Sequence, residues 1–304
     1  MNQNLQKPIS SILDAIGNTP LLDMGGGLYA KAEFQNPSGS IKARMAKFMI
    51  EKAESQGLLK PGDTIVESTS GNTGNAMAMV AAAKGYKMIV VMPDGYSSER
   101  TRISNGFGAE IRFVGHFKVN EARDEAIRLG EQDGYYCPQQ FDNEWNVEEN
   151  REWLGREIIE QLPDGLKIDA IVQGVGTGGT LIGTVQALRQ WHNPDLKGFA
   201  MEPSESQILQ CCIAAEHKIE GIADGFVPTI YERHADEIDG IIPIQSDAAI
   251  EEAKRLCALG LFVGPSSGAN VLAARELQKR DPEIKNIVTF LCDSAGKYLS
   301  MMFP

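Results

Sequence analysis

The chain has 304 residues, 42% of them hydrophobic and 23% charged, and 41 Asp+Glu against 29 Lys+Arg give a formal net charge of −12. This composition excludes wholesale disorder, and the length predicts about two domains of roughly 150 residues each. The acidity excludes a broad basic surface for nucleic acid or anionic lipid, but not a local anion pocket, because backbone N–H groups bind phosphate without net positive charge.

The first ten residues, Met1 to Ser10, are polar and lack the apolar core of a signal peptide. A helix is expected from Lys42 to about Lys52, and Thr64–Glu67 reads as a strand leading into the turn Ser68–Gly74. A small-residue helix, Asn75–Lys84, precedes a buried strand, Lys87–Met92, that ends at Pro93. The apolar stretch Ala76–Met92 is broken by Lys84 and Lys87 and is too interrupted to span a bilayer. Next come a helix at Ser98–Gly106, a strand at Glu110–Val114, and helices at Asn120–Gln132 and Glu148–Gln161. A strand at Asp169–Gln173, a helix at Leu181–Trp191 and a strand at Gly198–Glu202 follow. Helices at Asp247–Leu259 and Ala269–Lys279 and a strand at Asn286–Leu291 complete the series. Alternating strands and helices predict an α/β fold with mostly parallel sheets, helices on both faces, and ligands beyond the carboxyl ends of strands.

Five cysteines, Cys137, Cys211, Cys212, Cys257 and Cys292, form no C-x-x-C pair. No disulfide framework or zinc site is expected, most are expected to be buried thiols, and a reducing cytoplasm fits best. His116, His192, His217 and His234 share no metal-ligand spacing and read as surface or loop residues, and Trp145 and Trp153 read as core.

The 31 glycines, about 10% of the chain against a typical ~7%, are concentrated where they matter. Glu67-Ser-Thr-Ser-Gly-Asn-Thr-Gly74, Gly174-Val-Gly-Thr-Gly-Gly-Thr180 and Gly264-Pro-Ser-Ser-Gly-Ala-Asn270 each lie between a predicted strand and a predicted helix. Glycine lets such a turn approach a ligand, and the first N–H groups of the next helix serve as anion donors. The second segment formally matches G-x-G-x-x-G through Gly174, Gly176 and Gly179, and Glu202 stands about 20 residues on. Its mid-chain position argues against a dinucleotide, and no Walker lysine follows. Its hydroxyls suit a single phosphate monoester instead. In Asn36-Pro-Ser-Gly-Ser-Ile-Lys-Ala-Arg44, Ser38 or Ser40 is placed to cap a helix whose first turn carries Lys42. The helix dipole disfavours a cation there, and Lys42 reads either as a solvated side chain or, beside a phosphate cradle, as an amine of depressed pKa that forms a Schiff base with a carbonyl cofactor. An aldehyde that also carries a phosphate points to pyridoxal 5'-phosphate.

In order, Gly17-Asn-Thr-Pro-Leu21, Asn36-Pro-Ser-Gly-Ser-Ile-Lys42, Thr69-Ser-Gly-Asn-Thr-Gly74, Pro138-Gln-Gln-Phe141, Gly174–Thr180 and Ser266-Ser-Gly-Ala269 resemble the cysteine synthase (O-acetylserine sulfhydrylase) and cystathionine β-synthase family. These are fold type II pyridoxal-phosphate enzymes, and the resemblance runs from about Ser11 to Phe303. It implies two open, mostly parallel twisted sheets covered by helices, similar to the β subunit of tryptophan synthase. It implies a larger domain of residues 1–35 and 147–304, and a smaller mobile one of 36–146. Lys42 would bind the cofactor and act as base on Cα. Gly176, Thr177, Gly178, Gly179 and Thr180 would hold the phosphate, Asn72 the 3′-oxygen, and Ser266 the pyridine nitrogen. Thr69, Ser70, Gly71, Asn72, Thr73 and Gln140 would bind the substrate α-carboxylate. The implied chemistry is β-replacement through an α-aminoacrylate, O-acetylserine and sulfide giving cysteine and acetate. The resemblance also implies a homodimer, offers serine acetyltransferase as a candidate partner, and leaves out nucleic acid and membranes.

Ala43, Pro265 and Asp224 depart from the family pattern, as does Ser206–Lys218 with its Cys211-Cys212 pair. Ala43 is expected to point away from the ligand and Pro265 to stiffen its turn. Asp224 reads either as a solvated loop acid or as a group that steers or deprotonates a nucleophile at Cβ. With water as nucleophile, cysteine would be degraded to serine and sulfide. A cystathionine β-synthase-like acceptor is a further alternative. A dehydratase fits the Gly174–Thr180 and Pro138–Phe141 segments less well, and retention of Lys42, Asn72 and Ser266 argues against a silent binding relative.

Overall fold

A computed structural model describes residues 8–304 apart from 70, 95–97 and 117–118. A hairpin of β1 (Leu21–Asp23) and β2 (Leu28–Lys31) leads to α1 (Lys42–Ser55), β3 (Thr64–Ser68), α2 (Asn72–Lys84) and β4 (Lys87–Asp94). Then come α3 (Ser98–Gly106), β5 (Glu110–His116), α4 (Val119–Gly130) and β6 (Tyr135–Tyr136). α5 (Trp145–Glu149) and α6 (Arg156–Gln161) are joined by a π-helical turn, Asn150–Gly155. The chain continues through β7 (Ala170–Gly174), α7 (Gly179–Trp191), β8 (Lys197–Pro203), α8 (Ile208–Cys211), α9 (Thr229–Arg233) and β9 (Gly240–Ile244). It ends with α10 (Ser246–Ala258), α11 (Pro265–Arg280), β10 (Ile287–Phe290) and α12 (Leu299–Met302).

Among the described residues the strands form two sheets, as expected. One has the order β1-β2-β10-β7-β8-β9 and is parallel except for the β1–β2 hairpin. The other has the order β5-β4-β3-β6 and is parallel throughout. The second sheet draws all its strands from between residues 64 and 136, while the first takes 21–31 and 170–290. Strands buried on both faces read as unbroken apolar runs rather than alternations, which is why Ile65, Val66, Ile171 and Val172 are all buried. Two apolar clusters cover the six-stranded sheet, one built with Val271, Ala274 and Leu277 of α11, the other with Leu181, Val185 and Leu188 of α7. The four-stranded sheet packs Met45, Met49 and Ile50 of α1 and Met77 and Val80 of α2 on one side, and Ala122, Ala126 and Leu129 of α4 on the other. No helix among the described residues is long and apolar enough to cross a membrane.

Several expectations are corrected. The helices after the glycine-rich turns start earlier than their apolar periodicity suggests, α2 at Asn72 and α11 at Pro265, because glycine, serine and asparagine occupy their first turns. Pro265 takes the first helical position, where its missing N–H would be unpaired in any case. β4 does not stop before Pro93 but continues to Asp94, with its register to β5 shifted between Met92 and Asp94. Neither Ser38 nor Ser40 caps α1. The cap position is Ile41 without a side-chain bond, and both serine hydroxyls are buried without a partner. Of the five free cysteines, only Cys292 is fully buried, and Cys211 and Cys212 are exposed. Gly155 and Gly183 let the α5–α6 segment approach α7 closely: a Cβ on Gly155 would lie 2.3 Å from Ala187 Cβ, and one on Gly183 would lie 2.4 Å from the Val147 carbonyl.

Candidate active site

β3, β7 and β10 end at one cleft, and the turns that follow them supply its walls. One compartment, a cavity of about 40 Å³, is lined by Lys42, Asn72, residues of the Gly174–Leu181 turn and Ser266, with Gln173, Glu220 and Cys292. A second, also of about 40 Å³, shares Lys42, Asn72, Gly176, Thr177 and Gly221 and adds Thr69, Thr73, Gln140, Phe141 and Asp224. The expected phosphate and carboxylate sites thus lie in one continuous cleft, on either side of Lys42.

Lys42 is the first residue of α1, held there from both sides. Ile41 N donates to Cys292 O at 2.9 Å, and Ser40 forms an antiparallel bridge with Asp293. Two residues further on, Arg44 is fully buried and gives Glu33 contacts of 2.7 and 2.9 Å and Glu157 contacts of 2.8 and 2.7 Å. Lys31 joins Glu157 at 2.5 Å, Thr19 Oγ1 donates to Glu33 at 2.6 Å, and Asn36 Nδ2 donates to the same carboxylate. The Gly17–Leu21 and Asn36–Lys42 segments therefore build the socket of this helix. Gly17 is needed for its left-handed φ of 88° and because a Cβ would lie 2.7 Å from Trp153. Burial pushes the Lys42 ammonium below its ordinary value, against the opposing pull of Cys292, Glu149 and Asp224.

The Gly174–Thr180 turn fits the phosphate of a pyridoxal-type cofactor. A Cβ on Gly176 would lie 2.6 Å from the Gly221 carbonyl, and Gly178 holds a φ of 92°. Thr177 Oγ1 accepts from Asn146 Nδ2 at 2.9 Å and from Gly179 N at 3.3 Å, so both lone pairs are used and its O–H is left to donate. Thr180 lines the cleft from the first turn of α7, where amide donors and the helix dipole favour an anion. Gly179 itself packs against Asn146, where a Cβ would lie 2.1 Å from Oδ1. The two serines of α11 divide their tasks: Ser267 Oγ receives Cys292 N at 2.9 Å, while Ser266 lines the cleft.

On the other wall, Gly71 N donates to Thr69 Oγ1 at 3.0 Å, Thr73 Oγ1 to Gln140 Oε1 at 2.6 Å, and Gln140 Nε2 to Ser68 O at 2.7 Å. This leaves Gln140 one N–H for a ligand. Glu67 lies beneath, accepting from Ser68 N and Gln140 N, and burial pushes its carboxyl up to about 8 despite those bonds. Ser70 lies outside the described residues. Asp224 stands in the compartment that holds Thr69, Thr73 and Gln140, and its charge is felt by Lys42. Gly221–Gly225 also forms one wall of an outer hollow with Val119 and residues 214–217.

Sequence reasoning missed Gln173, Glu220 and Cys292 as lining residues, and Asn270 as their support. Asn270 accepts from Gly174 N at 2.8 Å and donates to Gln173 Oε1 and Phe290 O, tying the ends of β7 and β10 together. Gln173 and Cys292 stand at or just past strand carboxyl ends, the signal by which they could have been found. No cluster of metal-ligating side chains occurs among the described residues.

Residues 12–293 match the family described as pyridoxal-phosphate dependent enzyme. The chain is 40% identical over 304 residues to a cysteine synthase of Staphylococcus aureus, covering 97% of each sequence. It is 39% identical over 299 residues to an O-ureido-L-serine synthase of Streptomyces lavendulae, covering 96% of this chain and 91% of that one. The crystal structure of a hydrogen sulfide-producing enzyme from Fusobacterium nucleatum superposes with a TM-score of 0.90 at 35% identity, over 95% of this chain and 89% of that one.

Proposed function

The chain belongs to the pyridoxal-phosphate dependent enzymes, and on that premise we propose that it carries out β-replacement on an O-activated L-serine, turning O-acetylserine and sulfide into L-cysteine and acetate. The observation that carries this reading is the placing of Lys42 between a phosphate cradle and a hydroxyl-rich loop in one cleft. The cofactor, when bound, supplies an electron sink for charge developing at Cα. Lys42 is the amine that would hold its aldehyde, and it would act as the base that moves the Cα proton. Lowered by burial, this amine spends more of its time neutral, as a base must. Gly176, Thr177, Gly178, Gly179 and Thr180 hold the phosphate, Asn72 serves the ring oxygen and Ser266 the ring nitrogen. Ser266 would offer the ring nitrogen a neutral hydroxyl in place of a carboxylate. Thr69, Ser70, Gly71, Asn72, Thr73 and Gln140 hold the substrate carboxylate, which excludes water as residues 36–146 close on the rest.

Asp224 favours a second reading. A carboxylate in the substrate compartment, close enough to be felt by Lys42, is placed to steer or deprotonate a nucleophile. If that nucleophile is water, the enzyme degrades cysteine to serine and sulfide. If it is a thiol, the chemistry is that of a cystathionine β-synthase. The homodimer and the serine acetyltransferase partner belong to the proposal as well. The deciding experiment gives O-acetylserine, serine and cysteine separately to the cofactor-loaded protein, then sulfide or homocysteine, and identifies the amino acid formed. Cysteine from O-acetylserine plus sulfide supports the synthase. Inert O-acetylserine, with serine and sulfide produced from cysteine, overturns it in favour of the second reading.

A further inference from the structure

Behind Asn72 lies a set of buried polar groups that the roles above do not use. Asn72 Nδ2 donates to Asp293 Oδ2 at 2.6 Å, and Asn72 Oδ1 accepts from Lys297 Nζ at 2.6 Å. Tyr298 donates its hydroxyl to the same Asp293 Oδ2 at 2.5 Å. Asp293, Lys297 and Tyr298 are 0%, 3% and 2% exposed. Their segment is itself well held. Gly264 N donates to Asp293 O at 3.0 Å, Ser294 caps the short 3₁₀ turn Ala295–Lys297, and Cys292 and Asp293 brace the turn that carries Lys42.

A carboxamide left to itself can turn over and exchange its donor and acceptor ends. A cation on its oxygen and a carboxylate on one of its N–H groups remove that freedom, because the reverse orientation would set oxygen against carboxylate and N–H against ammonium. One N–H then remains, on a side chain that lines the cleft. Burying an ammonium and a carboxylate is expensive, and here the two charges are joined through the amide of Asn72. We propose that Asp293 and Lys297 are positioning residues that lock the Asn72 amide so that its second N–H is a fixed donor to the anionic ring oxygen of the cofactor. The inference rests on the reading above, in which Asn72 serves that oxygen. Lys297 adds positive charge near the oxygen and Asp293 adds negative charge, so the two side chains act in opposite directions on its proton affinity. The other titratable groups lining the cleft, Lys42, Cys292, Glu220 and Asp224, are the same in every variant compared.

The test uses the full-length protein with Lys297→Met, Lys297→Gln, Lys297→Arg and Asp293→Asn. Three quantities are read: melting temperature without cofactor, the dissociation constant for added pyridoxal phosphate, and the pH midpoint of the bound cofactor's visible band. Lys297→Met is expected to raise the midpoint by about one unit and weaken cofactor binding about tenfold. Lys297→Gln keeps a donor to Oδ1 without the charge, so it shifts the midpoint while largely retaining affinity, and it also serves if the methionine variant does not fold. Lys297→Arg restores both quantities, and Asp293→Asn moves the midpoint down. Variants that lower the melting temperature but leave midpoint and affinity at their original values overturn the proposal. A parent protein that takes up no cofactor overturns the functional reading, a result distinct from unchanged variants of a protein that does.

Discussion

Glu149 shows how a single residue can disclose what burial has done. It is 1% exposed, and its Oε1 meets no hydrogen-bond partner. Burial pushes its carboxyl up to about 8, and the positive charge of Arg44 only partly offsets this. The folded chain therefore keeps Glu149 protonated at neutral pH, where an unfolded chain ionises it. Between about 4.5 and 8 the unfolded state binds fewer protons, so this residue makes stability fall as pH rises through that window. Glutamine has the shape of the protonated acid and no proton to lose. Glu149→Gln is expected to leave stability within about 0.5 kcal/mol at pH 4 and to raise it by about 1–3 kcal/mol at pH 9. Urea unfolding of both proteins across that range measures the difference. Because Glu67, displaced in the same direction, is present in both, parallel pH profiles would mean that Glu149 is not the source of the slope.

At the scale of elements, α1 starts with a cation at the end of the helix where the dipole repels one. Its position depends on the buried network around Arg44, two residues further on. Burial pushes the Glu157 carboxyl up, but the bonds and charges of Arg44 and Lys31 outweigh this and hold it at about 2. A depressed carboxyl contributes stability that is present above its ordinary value near 4.5 and is lost as pH falls toward 2. Glu157→Gln leaves two buried cations short of a carboxylate, and a loss of about 3–5 kcal/mol at pH 7 is expected. The gap to the parent protein should close as the pH of the unfolding experiment approaches 2, and a gap constant with pH would contradict the assignment. Elements with long apolar runs were legible in the sequence: β3, β4, β7 and β10 and the bodies of the helices between them fall where periodicity puts them, although α2 and α11 begin earlier and β4 ends later. β1 and β6, of three and two residues, carry too little pattern to read. β9 hides because Pro243 interrupts an apolar run, which an edge strand tolerates. The site's glycines, hydroxyls and Lys42 were legible because turn chemistry is local. Asp293, Lys297 and Asn270 were not, because their partners Asn72, Gly174 and Phe290 are set by tertiary packing across the chain.

The whole molecule carries a formal charge of −12, and yet the proposed function asks its cleft to hold two anions. The contradiction dissolves because the donors are backbone amides and hydroxyls fixed at strand ends, whose reach is a few ångströms, whereas net charge acts over the screened surface. The two turns proposed to hold these anions belong to different sheets. Gly176–Thr180 follows β7 of the six-stranded sheet, and Thr69–Thr73 follows β3 of the four-stranded one. On the proposed reading, a substrate held by its carboxylate at the second and through the cofactor at the first would fix the distance between the sheets. Adding an unreactive amino acid to the cofactor-loaded protein is therefore expected to slow amide hydrogen exchange in the turn between β3 and α2 and at residues 139–141. Exchange in β7 and β10, buried in the core of their sheet, should stay unchanged. Because the two regions are compared in one experiment, a general stabilisation by ligand would slow both. Only a change confined to the β3–α2 turn and the Gln140 loop identifies movement of one sheet onto the other. Exchange that is unaltered in those loops when the amino acid binds would show that the carboxylate is held elsewhere.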